Sequence, residues 1–176
     1  MAKRSAAMPS VGHATRCVGI INPGTRGMYE KSELISHEME INSATKGVLD
    51  ALNASTAFAC EVRADRLSRA LYATDASLYQ IVPDAVVLPR RPSDVAETVR
   101  ACGRFGVPLT ARGAGTGLTG GAVNRGVHLD CSRHLNRILD IDVHGRTARV
   151  EPGVVLDEMN AALAPHGLHF APDVAT

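Results

Sequence analysis

The sequence predicts an α+β domain, a βαβ unit followed by a mixed sheet, with a glycine-rich loop between them. Three observations predict it. Residues 85–111 read as strand, helix, strand. The tract Arg112-Gly113-Ala114-Gly115-Thr116-Gly117-Leu118-Thr119-Gly120-Gly121 places five glycines in ten residues directly after that second strand. Residues 138–143 and 147–151 are extended pieces joined at His144-Gly145-Arg146, a hairpin turn. The 176 residues, 45% hydrophobic, suffice for a core of ordinary size and suggest one domain or one and a half.

Taken in order, residues 1–29 read as an irregular tail, because Pro9, Gly12, Gly19, Pro23, Gly24 and Gly27 break any period. They carry Lys3, Arg4, Arg16 and Arg26 and no acid, which has a transit-peptide flavour, but the apolar run 17–21 is too short for a secretory leader. Residues 30–80 read as a helical extension. Ser32 is expected to cap a helix running to Leu52, with Leu34, Ile35, Met39 and Ile41 on its apolar side and Val48, Leu49 and Leu52 continuing after Gly47. A second short helix is expected over 65–71, with Arg66 and Arg69 on a solvated face.

Residues 81–176 form the principal domain. Between Pro83 and Pro89 lies a continuous apolar strand, 85–88. Ser93 is the expected N-cap of the next helix, with Asp94 and Glu97 in its first turn, Val95, Val99 and Cys102 on its apolar side, and Gly106 at its end. The strand at 107–111 completes the unit, so a parallel sheet with a right-handed crossover is expected. Residues 127–130 read as a further short strand. Pro152-Gly153 opens an amphipathic helix that buries Val155, Leu156, Met159, Ala162 and Leu163 and ends at His166-Gly167. Residues 168–170 read as a last strand, and the sequence ends in a turn, which makes the domain incomplete on this reading.

The glycine tract has the composition of a phosphate cradle. Glycine permits positive φ and close approach of backbone to ligand, so successive N–H groups can converge on a pyrophosphate. Thr116 and Thr119 add hydroxyl donors. Gly115-Thr-Gly117-Leu-Thr-Gly120 also fits the G-x-G-x-x-G fingerprint of NAD(P)-binding Rossmann domains, but that fingerprint requires a helix to start inside it. Here the tract runs through residues 121–126 into the strand at 127–130, with no room for one. A ligand-free glycine hairpin is the bland alternative, and such turns show two turn residues rather than ten.

Other classes are excluded by what the chain lacks. A formal net charge of +1 gives no footprint for nucleic acid, and six aromatic residues with no tryptophan give no stacking platform. No apolar run reaches the length of a membrane span. Cys17, Cys60, Cys102 and Cys131 are scattered without a C-x-x-C pair, so neither zinc nor an iron–sulfur cluster is encoded and reduced cytosolic thiols are expected. His128, His134 and His144 read as surface or satisfied histidines rather than metal ligands. Asp130 and Asp140 read as solvated strand ends in preference to ribose-binding acids. Arg112 either faces phosphate or pairs with a carboxylate on the sheet. Ser132 lacks the context of a hydrolase nucleophile.

In this order, Tyr72-Ala-Thr-Asp75-Ala-Ser-Leu-Tyr79, Pro83-Asp-Ala-Val-Val-Leu-Pro89, Arg112-Gly-Ala-Gly-Thr-Gly117, Asp130-Cys-Ser-Arg-His-Leu-Asn136, Val150-Glu-Pro-Gly153 and Phe170-Ala-Pro-Asp173 resemble a known domain. It is the FAD-binding domain of the vanillyl-alcohol-oxidase and p-cresol-methylhydroxylase type flavoproteins. Within that group the chain is most similar to the FAD-linked D-lactate, glycolate and D-2-hydroxyglutarate dehydrogenases, and especially to members fused to an iron–sulfur domain. The resemblance covers residues 66–176 and leaves 1–60 unmatched.

The resemblance implies an FAD cofactor whose pyrophosphate is wrapped by Arg112 to Gly121, with Pro89 near the adenosine half. Pro172, Asp173 and Thr176 would open a second flavin-contacting segment. Where some relatives carry a flavin-linking histidine, this chain has Thr116, so non-covalent FAD is implied. A hydroxy-acid substrate and a quinone, cytochrome or iron–sulfur electron acceptor follow for the whole protein, in the cytoplasm or at a membrane through that acceptor. The proton-abstracting and carboxylate-clamping residues belong to the family's C-terminal substrate domain, so no catalytic residue is nominated. The 176 residues alone are expected to be inactive toward D-lactate, glycolate and D-2-hydroxyglutarate. A non-catalytic nucleotide- or phosphate-binding module is the alternative from another class.

Overall fold

The structure is a computed structural model and describes residues 40–56, 58 and 60–172. The expected tail, the Ser32 cap, the first half of the first helix, Asp173 and Thr176 lie outside the described residues. Helix α1 spans Ser43–Ala54, and Asn42 caps it by accepting from the Ala44 amide at 2.9 Å. Thr45, Val48 and Leu52 recur at helical spacing and are buried. Helix α1 packs on α3, Pro92–Phe105, and Gly47 is where they approach closely. A Cβ there would stand 2.6 Å from the Phe105 ring, so the glycine is a packing device rather than a helix break.

Four strands make the main sheet: β1 Glu61–Arg63, β2 Ala85–Leu88, β3 Leu109–Arg112 and β4 Val127–Asp130. Their order is β1-β2-β4-β3, with β1 antiparallel to β2, and β4 parallel to both β2 and β3. The expected parallel strands form, but β2 and β3 are not neighbours, because β4 inserts between them. Strands β2 and β4 are buried at every position, as the inner strands of a covered parallel sheet require. Val87, Val127 and Leu129 on one face join Val48, Leu52, Ala101 and Cys102 of the helices in the core.

Helix α3 starts one residue before the expected cap. Pro92 occupies its first turn, where a preset φ and a missing N–H cost nothing, and Asp94 rather than Ser93 supplies the capping oxygen, accepting from the amides of Arg90 and Arg91 at 3.0 and 3.2 Å. Gly106 ends it in the left-handed region at φ 65°, as expected. Its buried stripe is Asp94, Thr98, Ala101 and Cys102, whereas Val99, expected on the apolar side, is 50% exposed. Thr98 is buried without penalty because its hydroxyl donates to the Asp94 carbonyl at 2.8 Å.

Helix α2, Arg66–Leu71, is capped by Asp65. Arg66 is exposed as expected, but Arg69 is not on a solvated face. Only 2% of it is exposed; its Nε donates to the Pro83 carbonyl at 2.7 Å and its Nη2 lies 3.9 Å from Asp84. Leu67 and Leu71 take the outer positions instead.

Strands β5 (Ile138–Asp142) and β6 (Thr147–Val150) form the expected hairpin, a separate two-stranded sheet, with Arg146 at φ 51° in the turn. Glu151 locks its base by accepting from Arg137 Nη2 at 2.8 Å and the Arg137 amide at 2.9 Å. Helix α4, Leu156–Leu163, buries only Leu163 fully; Val155, expected inside, precedes the helix and is exposed. A 3₁₀ turn, Ala164–His166, and Gly167 at φ 66° follow. No strand forms over 168–170; the Phe170 amide donates to the Asn160 side chain at 2.9 Å instead of to a neighbouring strand.

Candidate functional site

Because β2, β3 and β4 are parallel, their carboxyl ends share one edge of the sheet, the edge at which open α/β sheets bind ligands. Pro89 follows β2 there and is buried. Arg112 ends β3 opposite Asp130, the last residue of β4. The chain between them, residues 113–126, contains no helix, which removes the structural requirement of the Rossmann reading.

The five glycines of the tract divide into two groups. Gly115 and Gly120 have φ of 72° and 77° and face the protein. A Cβ on Gly115 would stand 2.5 Å from the Arg112 guanidinium, and one on Gly120 would stand 2.6 Å from the Tyr79 ring. Gly113, Gly117 and Gly121 have no atom within 4 Å of where a Cβ would be, and all three are exposed. Among the described residues, the amides of Gly113, Ala114, Gly115 and Gly117 have no protein hydrogen-bond acceptor. The tract therefore combines backbone donors that no described residue takes up with open space at Gly113, Gly117 and Gly121, and has no carboxylate of its own. That donor set fits a pyrophosphate.

Arg112 pairs with no carboxylate among the described residues. Its Nη1 donates to the carbonyls of Tyr72 and Ala122, both at 3.3 Å, and its guanidinium lies 5.3 Å from the centre of the Tyr72 ring. It sits beneath the loop, where it contributes positive charge without reaching out of the sheet. Asp130 is likewise not a solvated strand end. It is 5% exposed, accepts from the Tyr72 hydroxyl at 2.5 Å, and closes a local turn by accepting from the Ser132 amide and hydroxyl at 2.8 and 2.6 Å. Burial and the Asp130 hydrogen bond push the Tyr72 phenol up to about 12.

The segment 72–80, part of the expected helical extension, contains no helix after Tyr72. It underlies the loop. The Ala76 amide donates to the Gly115 carbonyl at 2.9 Å, and Asp75 accepts from the Ala122 amide at 3.2 Å. A legible signal was present: Asp75-Ala-Ser77 and Asp130-Cys-Ser132 share the Asp-x-Ser spacing of a turn in which the carboxylate takes the amide two residues on. His128 is fully buried rather than at the surface. Its Nε2 pairs with the Asn124 backbone, its Nδ1 has no partner among the described residues, and burial holds its pKa below the usual histidine value. Pro172 is exposed at the end of the described residues.

A glycine-rich loop that contains no helix, on the carboxyl edge of a mixed sheet, sets this domain apart from a Rossmann one. The FAD binding domain family matches residues 83–176, more than half of the chain, and the chain belongs to that family, with FAD as its cofactor. It is 47% identical over 131 residues to D-2-hydroxyglutarate dehydrogenase of Pseudomonas putida, and 46% identical over 99 residues to glycolate oxidase subunit GlcD of Escherichia coli. These alignments take in 73% and 55% of this chain but 13% and 20% of the relatives, so the chain spans a small part of their length. Among solved structures, p-cresol methylhydroxylase with substrate bound superposes with a TM-score of 0.51 at 19% identity, over 78% of this chain and 26% of that one. That likeness shows the fold. No described helix is long and apolar enough to cross a membrane.

Proposed function

We propose that this chain is the FAD-binding part of an oxidoreductase that oxidises a D-2-hydroxy acid, with D-2-hydroxyglutarate, D-lactate and glycolate as the candidate substrates. The single observation that carries the proposal is the two-sided glycine tract: Gly115 and Gly120 packed inward at positive φ, and Gly113, Gly117 and Gly121 exposed with open space where a Cβ would stand. Similarity to a D-2-hydroxyglutarate dehydrogenase and a glycolate oxidase subunit supports the substrate class.

Bound FAD would supply the two-electron acceptor for oxidation of the hydroxy acid to the 2-oxo acid, a loss of hydride from the α-carbon and of a proton from the hydroxyl. The part of this chain is binding and orientation. The amides of Gly113, Ala114 and Gly117 would take the pyrophosphate oxygens and the Arg112 guanidinium behind the loop would offset the added negative charge, with Pro89, Pro172, Asp173 and Thr176 as the further residues assigned to the dinucleotide. Thr116 offers no imidazole, so the flavin is held without a covalent bond. An iron–sulfur, quinone or cytochrome acceptor would take the electrons onward. That acceptor is where a cytoplasmic protein of this kind would meet a membrane.

The test is anaerobic mixing of the purified, flavin-loaded whole protein with each hydroxy acid. Bleaching of the flavin band near roughly 450 nm by D-2-hydroxyglutarate or D-lactate and not by the L-isomer, or by achiral glycolate, is the expected result. A flavin that all of them leave oxidised contradicts the proposal.

A further inference from the structure

Resting on the reading that residues 113–121 cradle a pyrophosphate, we infer that Asp75 is a positioning residue for that loop, fixing its far end through the Ala122 amide. A tract with five glycines has many backbone conformations to lose, so its shape has to come from what holds it. Ala122, the residue directly after the tract, is held at both of its backbone polar groups. Its N–H donates to Asp75 Oδ2 at 3.2 Å and its carbonyl accepts from Arg112 Nη1 at 3.3 Å.

The other carboxylate oxygen of Asp75 is used locally. Oδ1 accepts from the Ser77 amide at 2.9 Å and the Ser77 hydroxyl at 2.5 Å, which fixes the carboxylate before it meets Ala122. The same turn touches the tract twice more, through the Ala76 amide on the Gly115 carbonyl at 2.9 Å and the Tyr79 ring beneath Gly120. Gly115 and Gly120 are the two tract glycines with positive φ, so the turn grips the loop where its backbone is most constrained. The Ser77 hydroxyl, the Ser77 amide and the Ala122 amide hold the Asp75 carboxyl below the usual aspartate range, so it stays an acceptor throughout the neutral range. A loop shaped before the ligand arrives has less freedom to lose on binding.

The variants Asp75→Asn and Asp75→Ala in the whole protein test this. In Asp75→Asn the amide oxygen can keep the Ser77 turn while the NH₂ confronts the Ala122 N–H, so the tie across the loop is lost and the local turn is not. Both variants should bind FAD about tenfold more weakly, the worth of one charge-assisted hydrogen bond, and should exchange the amides of 113–122 faster. Riboflavin, which has no phosphate for the loop to hold, should bind as it does to the unaltered protein. Unchanged FAD affinity, or parallel loss of FAD and riboflavin, overturns the inference. If the unaltered protein binds FAD no better than riboflavin, the pyrophosphate reading fails on its own, and unchanged exchange at 113–122 in Asp75→Asn then overturns the role of Asp75 as well.

Discussion

The Tyr72 hydroxyl lies 2.5 Å from Asp130 Oδ2, joining the turn beneath the glycine tract to the end of β4 across 58 positions of sequence. Burial first, then the hydrogen bond, raise this phenol from 10.0 to about 12. The phenol's stabilising contribution is therefore complete below pH 10, where the unfolded phenol is still protonated, and is lost as pH rises toward 12. Alkaline titration followed by phenolate absorbance should show a step near 12 that disappears in Tyr72→Phe and in the unfolded chain. That variant should also lose about 1 kcal/mol of stability, because Asp130 keeps its bonds to Ser132 and loses one partner.

The tract glycines should separate into two phenotypes. Gly120→Ala places a side chain at φ 77° against the Tyr79 ring and should destabilise the apo protein by about 1–2 kcal/mol. Gly117 does not have a positive φ, and a Cβ there meets nothing. Gly117→Val should therefore leave the apo melting temperature within a degree or two, on the order expected of an exposed substitution, while obstructing the open side and abolishing or strongly weakening FAD binding. Thermal melts beside flavin titrations of both variants decide the point.

Arg69 and Arg66 stand three residues apart on one short helix and should behave oppositely. Arg69→Met removes a buried cation from the Pro83 carbonyl and from Asp84, whose other oxygen holds the Thr45 hydroxyl of α1 at 2.7 Å. The loss should be about 3 kcal/mol or more by chemical denaturation. The same change at exposed Arg66 should fall within about 0.5 kcal/mol.

Acid precipitation of the yellow whole protein should leave the flavin in the supernatant, because Thr116 stands where a linking histidine would be. Colour retained in the pellet after denaturation would show a covalent bond formed elsewhere.

Much of this was legible because it depends on local pattern. Ala85–Leu88 and Val127–Asp130 are uninterrupted apolar or buried runs, Gly106 marks a helix end, and the hairpin turn lies at 144–146. What stayed hidden depends on partners distant in sequence. Strand β1 has three residues, too few to show a period, and exists because β2 offers an edge. The insertion of β4 between β2 and β3 is a tertiary choice. Arg69 looks like any surface arginine until Pro83 and Asp84 are brought to it. At the site the tract itself was plain, but which glycines face inward depends on φ values that composition does not encode, and Arg112 turned to carbonyls because Tyr72 and Ala122 surround it.

The central claim is that residues 113–121 hold the pyrophosphate of FAD. Equilibrium titration of the flavin-free whole protein with FAD and, separately, with riboflavin tests it most directly, since the two share the ring system and differ in the phosphates and adenosine. FAD binding at least a hundredfold tighter than riboflavin, a difference of about 2.7 kcal/mol, with that advantage removed by Gly117→Val, is the predicted result. Equal affinity for the two, or an advantage that survives Gly117→Val, would contradict it.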